Sequence, residues 1–278
     1  MATPIEWKPR GVVNGAALRR DSPAARFLPE PPLDAFIEHF WSVSWDLGGH
    51  PPLTRETLPH PSVQLVVEEG RSGLAGVATG RFTRTLEGRG RVLGLKFLPG
   101  AFRPFWSGPV SALTDRVLGL AEAFGPEGEA LEPAVLRCGE DTAAAVCAAE
   151  AFLLARLPAR DPQAERAGRI VGMIRESAAL TRVEAVADAA GLGLRALQRL
   201  FGEYVGVPPK WVVQRYRLHE AMARLESGQS VDLVGLALDL GYFDQAHFIR
   251  DFRALLGRTP MAYARDAVTR SPAGRTGG

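Results

Sequence analysis

Residues 235–263 read GLALDLGYFDQAHFIRDFRALLGRTPMAY, and their spacing decides the architecture of the C-terminal half. Leu236, Ala237 and Leu240 give a first helix one apolar face. Gly241 permits the left-handed backbone that ends that helix and turns the chain. Asp244 stands where a carboxylate caps the next helix. Phe248, Phe252 and Leu255 then recur at helical spacing toward a core, while Gln245, His247, Arg250 and Arg253 project elsewhere, and Gly257 and Pro260 end the run. Helix, tight turn, helix with outward Arg and Gln is a helix-turn-helix pattern.

Upstream the pattern repeats. Val186-Ala187-Asp188-Ala189-Ala190-Gly191-Leu192 leads to Leu197-Gln198-Arg199-Leu200-Phe201, as Leu236–Tyr242 leads to Phe248–Phe252. Each unit closes on Gly-x-x-Pro, at Gly206–Pro209 and Gly257–Pro260. A single such unit is a weak signal; two in tandem, joined by a long helix over Trp211–Leu225, are specific. Further helices are expected over Ala164–Ser177, Val183–Ala190, Leu194–Val205 and Val231–Leu240, the last following a break at Gly228-Gln229-Ser230.

The N-terminal half has a different period. Trp41–Trp45, Val63–Val67, two short runs between Gly73 and Leu86, and Arg91–Phe97 read as strands. Leu33–Trp41 reads as a short amphipathic segment after Pro31-Pro32, and residues 1–32, with Trp7, as a partly ordered arm. Helices are expected over Asp115–Phe124 and Asp141–Leu157. The second is Ala-rich, with Val146, Phe152, Leu153 and Leu157 forming a narrow seam suited to dimerisation. The fold class is thus two-domain α+β, with a small β-barrel or curled antiparallel sheet and flanking helices, then an all-α domain. The expected boundaries are 1–157, a Pro-flanked linker at 158–162, the helical domain at 163–268 and a disordered tail at 269–278.

Composition narrows the rest. At 46% hydrophobic and 23% charged the chain is of a soluble globular class, with neither a signal peptide nor a membrane-length apolar run, so a cytoplasmic home without membrane partners is expected. Cys138 and Cys147 imply no disulfide framework. The charge split, −1 over residues 1–160 and +3 over 161–278, is too small to identify a nucleic-acid binder. His39, His50 and His60 are irregularly spaced and give no metal set. No nucleophile elbow, phosphate loop or telling carboxylate pair is present, and Gly88-Arg89-Gly90 is too short for a nucleotide loop, so neither an enzyme nor a cofactor is expected.

Residues from about 165 to 265 resemble the DNA-binding domain of the AraC/XylS family of bacterial transcription regulators, most closely over Gly241–Phe252 and Gly257–Tyr263. The upstream half more loosely resembles an N-terminal β-barrel domain found in some of these regulators, through Leu58-Pro59-His60-Pro61 and Phe97-Leu98-Pro99-Gly100. The resemblance implies a transcription regulator, with duplex DNA as partner and two recognition helices in successive major grooves. RNA polymerase, a small-molecule effector and a second copy of the chain, as a homodimer, follow as further partners. Arg195, Gln198 and Arg199 share the face opposite Leu197, Leu200 and Phe201 and suit base or phosphate contact; Gln245, His247 and Arg250 are the second set, with phosphate contact favoured. Arg195 departs from the Ser- or Trp-like occupant of relatives, and Gly193 replaces a frequent capping Ser. Arg215, Arg217 and Lys210 are candidate phosphate contacts or a solvated face. Trp41, Trp45, Glu56, His60, Arg81, Phe97 and Trp106, with Phe82, are candidates for an effector pocket, or a packed core with rim charges. Two alternatives stand: an N-terminal domain that is purely structural, or an enzyme domain fused to the helix-turn-helix domain.

Overall fold

The computed structural model describes residues 4–5, 23–227 and 232–270. Most of the expected arm, the break at Gly228–Ser230 and the tail from Ser271 lie outside them. The N-terminal half begins with β1 (Ala24–Phe27), β2 (Ile37–Asp46), β3 (Leu53–Thr57), β4 (Gln64–Val67), β5 (Gly73–Ala75), β6 (Phe82–Leu86), β7 (Arg89–Phe97) and β8 (Val117–Leu118). Six of these form one antiparallel sheet in the order β1-β2-β7-β4-β5-β8, and β3 with β6 forms a separate two-stranded sheet. The large sheet ends on β1 and β8 and is open, so the curled-sheet form of the expectation holds and the closed barrel does not.

Period-two alternation on β2 and β7 sets the two faces. Phe40, Leu93, Leu95 and Phe97, with Leu65 and Val67 of β4, are buried on one face. They pack against α1 (Leu120–Phe124), α2 (Pro126–Glu129), α3 (Leu131–Leu136) and α4 (Thr142–Leu154). Val146 and Leu153 of α4 have no exposure and sit in this core with Ala145 and Ala149. That corrects the dimer seam: the apolar stripe of α4 is the domain's own core face, and Arg at Val146 or Leu153 would unfold the domain rather than split a dimer. On the opposite face the indoles of Trp41 and Trp45 lie over Gly94 and Gly90, their cross-strand partners on β7, where a Cβ would come within 2.2 and 2.3 Å. The two-stranded β3–β6 sheet covers one end of this face, closing a small cluster of Trp45, Leu47 and Leu86.

Close approach also fixes Gly76, after β5. A Cβ there would stand 1.8 Å from the carbonyl oxygen of Leu113, which is backbone and cannot rotate away. Gly76→Ala is therefore expected to cost about 1–3 kcal/mol by overpacking, seen as a lower denaturant midpoint at unchanged slope. An unchanged midpoint would show that the loop yields.

From Pro162 onward the chain is helical: α5 (Pro162–Glu176), α6 (Val183–Ala189), α7 (Leu194–Tyr204), α8 (Pro209–Glu226), α9 (Leu233–Asp239), α10 (Gln245–Leu256) and α11 (Pro260–Arg270). Asp161, Asp232 and Asp244 cap α5, α9 and α10 through backbone N–H groups, as carboxylates at helix starts do. Two differences from the sequence expectation concern ends. Pro260 opens a helix rather than closing one, and that helix runs to Arg270, two residues into the expected tail. Residues 24–27, expected within the arm, are a strand paired with β2.

Candidate nucleic-acid interface

The two units share the backbone bonding of their turns. Leu192 N–H donates to the Ala187 carbonyl at 2.9 Å, and Tyr242 N–H to the Ala237 carbonyl at 3.0 Å. Gly191 and Gly241 both have left-handed backbone, φ +60 and +78, which only glycine adopts without strain. Setting N-cap Gly193 on N-cap Asp244 aligns α7 with α10 without a gap, bringing Leu197 onto Phe248, Arg199 onto Arg250 and Phe201 onto Phe252. The aligned apolar side chains are fully buried, and the two Arg are exposed. The core of the first unit gathers Ile170, Val186, Leu197 and Phe201, and that of the second Leu236, Phe248, Phe252 and Tyr263.

Arg195, Gln198, Arg199 and Arg250 are exposed and enter no ion pair or hydrogen bond among the described residues. On α7 the three polar tips lie within one turn of each other. Gln245 and His247 are half-buried. The His247 ring stands edge-on to Tyr242 at 5.2 Å, and its Nε2 lies 3.6 Å from a carboxylate oxygen of Asp251. His247 is thus partly held by its own helix, and Arg250 has no such contact. Gly193 offers no side-chain cap to α7, whereas Asp244 accepts from His247 N–H at 2.7 Å.

Arg215 and Arg217 are not part of this surface. Both are buried, at 2% and 3% exposure. Arg215 stacks on Trp211 and donates to the Thr79 carbonyl. Arg217 donates to the Ile174 and Ser177 carbonyls at 2.8 and 2.6 Å. Their spacing carried the signal: Arg217 falls four residues after Val213 and four before Ala221, on the buried stripe of α8. Lys210 is exposed.

The effector candidates do not converge on one cavity. Trp41 and Trp45 donate their indole N–H groups to Gln64 and the Glu87 carbonyl. Phe97 is buried edge-on to Phe102 and Phe105, with Trp106 packed beside that core. Phe82 is exposed. A cleft of about 1400 Å³ opens between the β2–β7 end of the sheet, β6 and α3–α4; of the candidates only Trp45 lines it, beside Val43, Val92, Glu68, Arg84 and Arg91. Glu56, His60 and Arg81 lie instead where the two halves meet.

That junction holds the second helix of each unit near its C-terminal end. Thr114 Oγ1 donates to the Gly206 carbonyl after α7 at 2.6 Å, and Arg81 Nη1 to the Leu256 carbonyl at the end of α10 at 3.2 Å. The Leu256 carbonyl is an orphan acceptor at the last residue of α10, where a cation also suits the helix dipole, whereas the Gly206 carbonyl lies one residue beyond the C-cap of α7. Glu56 bridges Arg81 and Arg258 at 3.2 and 3.3 Å. Leu58 is buried in the core of the second unit and Val77 in that of the first. The His60 ring lies parallel to His219 of α8 at 4.1 Å. The side chains grip α7 and α10 from their C-terminal ends and leave Arg195, Gln198, Arg199 and Arg250 exposed.

Protonation of half-buried His60 at this junction, and of His39 buried on β2, is expected to make the fold acid-sensitive. Burial, then His219 and the cations Lys96, Arg26 and Arg215, hold the His60 pKa well below the usual imidazole value. Burial also lowers that of His39, against the opposing pull of Glu38. The unfolded chain therefore binds protons that the folded one refuses, and stability falls as pH drops below about 6.5 toward the folded values. Glu38 does not confuse the window: its burial is outweighed by His39 and Lys96, and it stays ionised down to about 2. Melts from about pH 8 to about pH 5 should show the loss, and His60→Gln should lessen it, leaving the part that His39 contributes. Equal acid sensitivity in that variant would remove His60 from the account.

Residues 186–266 match a family described as a helix-turn-helix domain, and residues 25–119 a domain of unknown function, DUF6597. The HTH-type transcriptional regulator ExsA of Pseudomonas aeruginosa is 34% identical over 71 residues, 25% of this chain and 25% of that protein. The chain thus matches about a quarter of the length of this curated relative. Among solved structures, unsaturated fatty acid bound ToxT from Vibrio cholerae is 11% identical with a TM-score of 0.39, covering 95% of this chain and 97% of that one. The xylose-binding transcription activator xylR is 21% identical with a TM-score of 0.31, covering 39% and 28%. Among the described residues no helix is long and apolar enough to cross a membrane.

Proposed function

We propose that this chain, a member of the AraC/XylS family through its tandem helix-turn-helix domain, is a sequence-specific DNA-binding transcription regulator. The observation that carries the reading is the duplicated unit with a free Arg at the same position of each second helix, Arg199 and Arg250. Arg195, Gln198 and Arg199 read bases, and Arg250, with Gln245 and His247, holds the phosphate backbone of the next half-site. Residues 163–268 are the DNA-binding domain, residues 1–157 the regulatory one, and 158–162 the joint between them.

Two readings of the N-terminal domain have their own support. The cleft beside Trp45 supports control by a small molecule. The bonds from Thr114 and Arg81 to the ends of α7 and α10 support a structural role, in which the domain holds two recognition helices at a fixed spacing. Selection of duplexes from random DNA with the full-length protein tests the main reading; failure to enrich any sequence would sink it. A thermal-shift screen of the same protein separates the other two, since only the sensing role raises the melting temperature with ligand.

A further inference from the structure

We propose that Phe243 reads thymine, its ring packing on C5-methyl groups in the second half-site; this deepens the regulator reading above and rests on it. The two units align without a gap after their N-caps and share their bonding before them, so the second carries one extra residue between turn and cap. From Gly191 to N-cap Gly193 the chain spends one residue, Leu192; from Gly241 to N-cap Asp244 it spends two, Tyr242 and Phe243. Tyr242 does the folding work, with its backbone bond to Ala237 and its ring 5.3 Å from that of Phe248. Phe243 is the addition.

An apolar residue just before an N-cap ordinarily folds back onto the fourth helical position and staples the helix start. Here that position is Phe248, and Tyr242 already covers it. Phe243 turns outward and is 89% exposed. A Phe held in water at that level contributes nothing to folding, and it stands at the end of α10 that enters the groove.

The surroundings share its character. Where α7 carries Arg195 and Gln198, the aligned positions of α10 are Ala246 and Ile249. The leading end of α10 thus lacks the polar readers of the first unit and offers Phe243, Ala246 and, with Gln245, one amide. In the major groove the feature such a surface selects is the thymine methyl, since the other base edges are hydrogen-bonding groups that an apolar contact leaves unpaired.

The test takes a duplex enriched by the full-length protein and replaces its thymines, one at a time, with deoxyuridine, which removes only the methyl. Wild type should lose about fourfold in affinity at one or two thymines of a single half-site, the worth of one buried methyl. Phe243→Ala should bind the unmodified duplex about fourfold to tenfold more weakly, melt at the wild-type temperature, and be indifferent to those same replacements. Wild-type affinity in Phe243→Ala would overturn the proposal and leave the ring to a protein partner. So would a full deoxyuridine penalty persisting in the variant. If no duplex is enriched at all, the regulator reading itself has failed, and that result is distinct from either.

Discussion

Arg217→Met lowers stability by about 3–5 kcal/mol, more than any surface change in the molecule. The guanidinium lies on α8 at 3% exposure and closes the C-terminus of α5 by donating one Nη2 to both the Ile174 and Ser177 carbonyls. Its Nη1 meets Glu220 at 2.7 Å. Methionine keeps most of the volume and supplies no donor. The Ile174 carbonyl is then buried without a partner, the half-buried Ser177 carbonyl keeps only the Leu180 N–H at 3.3 Å, and Glu220 keeps only Arg224. Lysine is an informative second variant, because one ammonium at the end of a longer stem cannot reproduce the fork. The expected order is wild type, Lys, then Met, in urea denaturation of the full chain. A Met variant within about 1 kcal/mol of wild type would show that the carbonyls rehydrate, and that α5 ends closer to solvent than its burial indicates.

Arg217 also marks where the sequence was legible and where it was not. The tandem pattern and its glycine turns were readable because they are local: period 3.6, a left-handed Gly, a capping Asp. The stripe on α8 was equally local, and Arg217 stands on it, yet residue type argued for a phosphate contact. Pro260 misled through the same habit, since Pro stops a helix from inside but is favoured at its first turn. The seam of α4 could not be assigned from sequence, because an Ala-rich helix presents similar apolar stripes to a core and to a partner copy. β3 was missed because its Leu53-Thr54-Arg55-Glu56-Thr57 run is mostly polar, and only the packing of Leu53 on the Trp45 cluster gives it a buried side. Least legible was the junction. Arg258 and Glu56 are 202 residues apart and Arg81 and Leu256 are 175 apart, and nothing in the periodicity of either segment announces its partner. The candidates Glu56, His60 and Arg81 were singled out as unusual residue types in the right half of the chain. They proved unusual for a different reason, as contacts between the halves.

The duplication makes the second large effect a paired one. Arg199→Ala and Arg250→Ala remove the same aligned position from two recognition helices, and the double variant should bind its selected duplex at least about a hundredfold more weakly than wild type. The two singles are expected to differ in kind. Arg199 stands beside Arg195 and Gln198 on a polar reading face, so Arg199→Ala should cost about 1–3 kcal/mol on the preferred duplex and relax the preference at one base pair. Arg250 stands one turn from Ala246 and His247, on the helix to which backbone contact rather than base readout is assigned. Its loss should weaken all duplexes alike and reduce the steepness of the salt dependence by about one counterion. Because both side chains are exposed and enter no ion pair among the described residues, neither change should move the melting temperature, and lost affinity reads directly as lost contact. Affinity measured on the selected and a scrambled duplex across a salt series separates the outcomes. If the double variant binds as wild type does, the aligned Arg pair is a solvated face and the DNA surface lies elsewhere. If instead Arg250→Ala changes sequence preference and Arg199→Ala does not, the roles of the two units are exchanged.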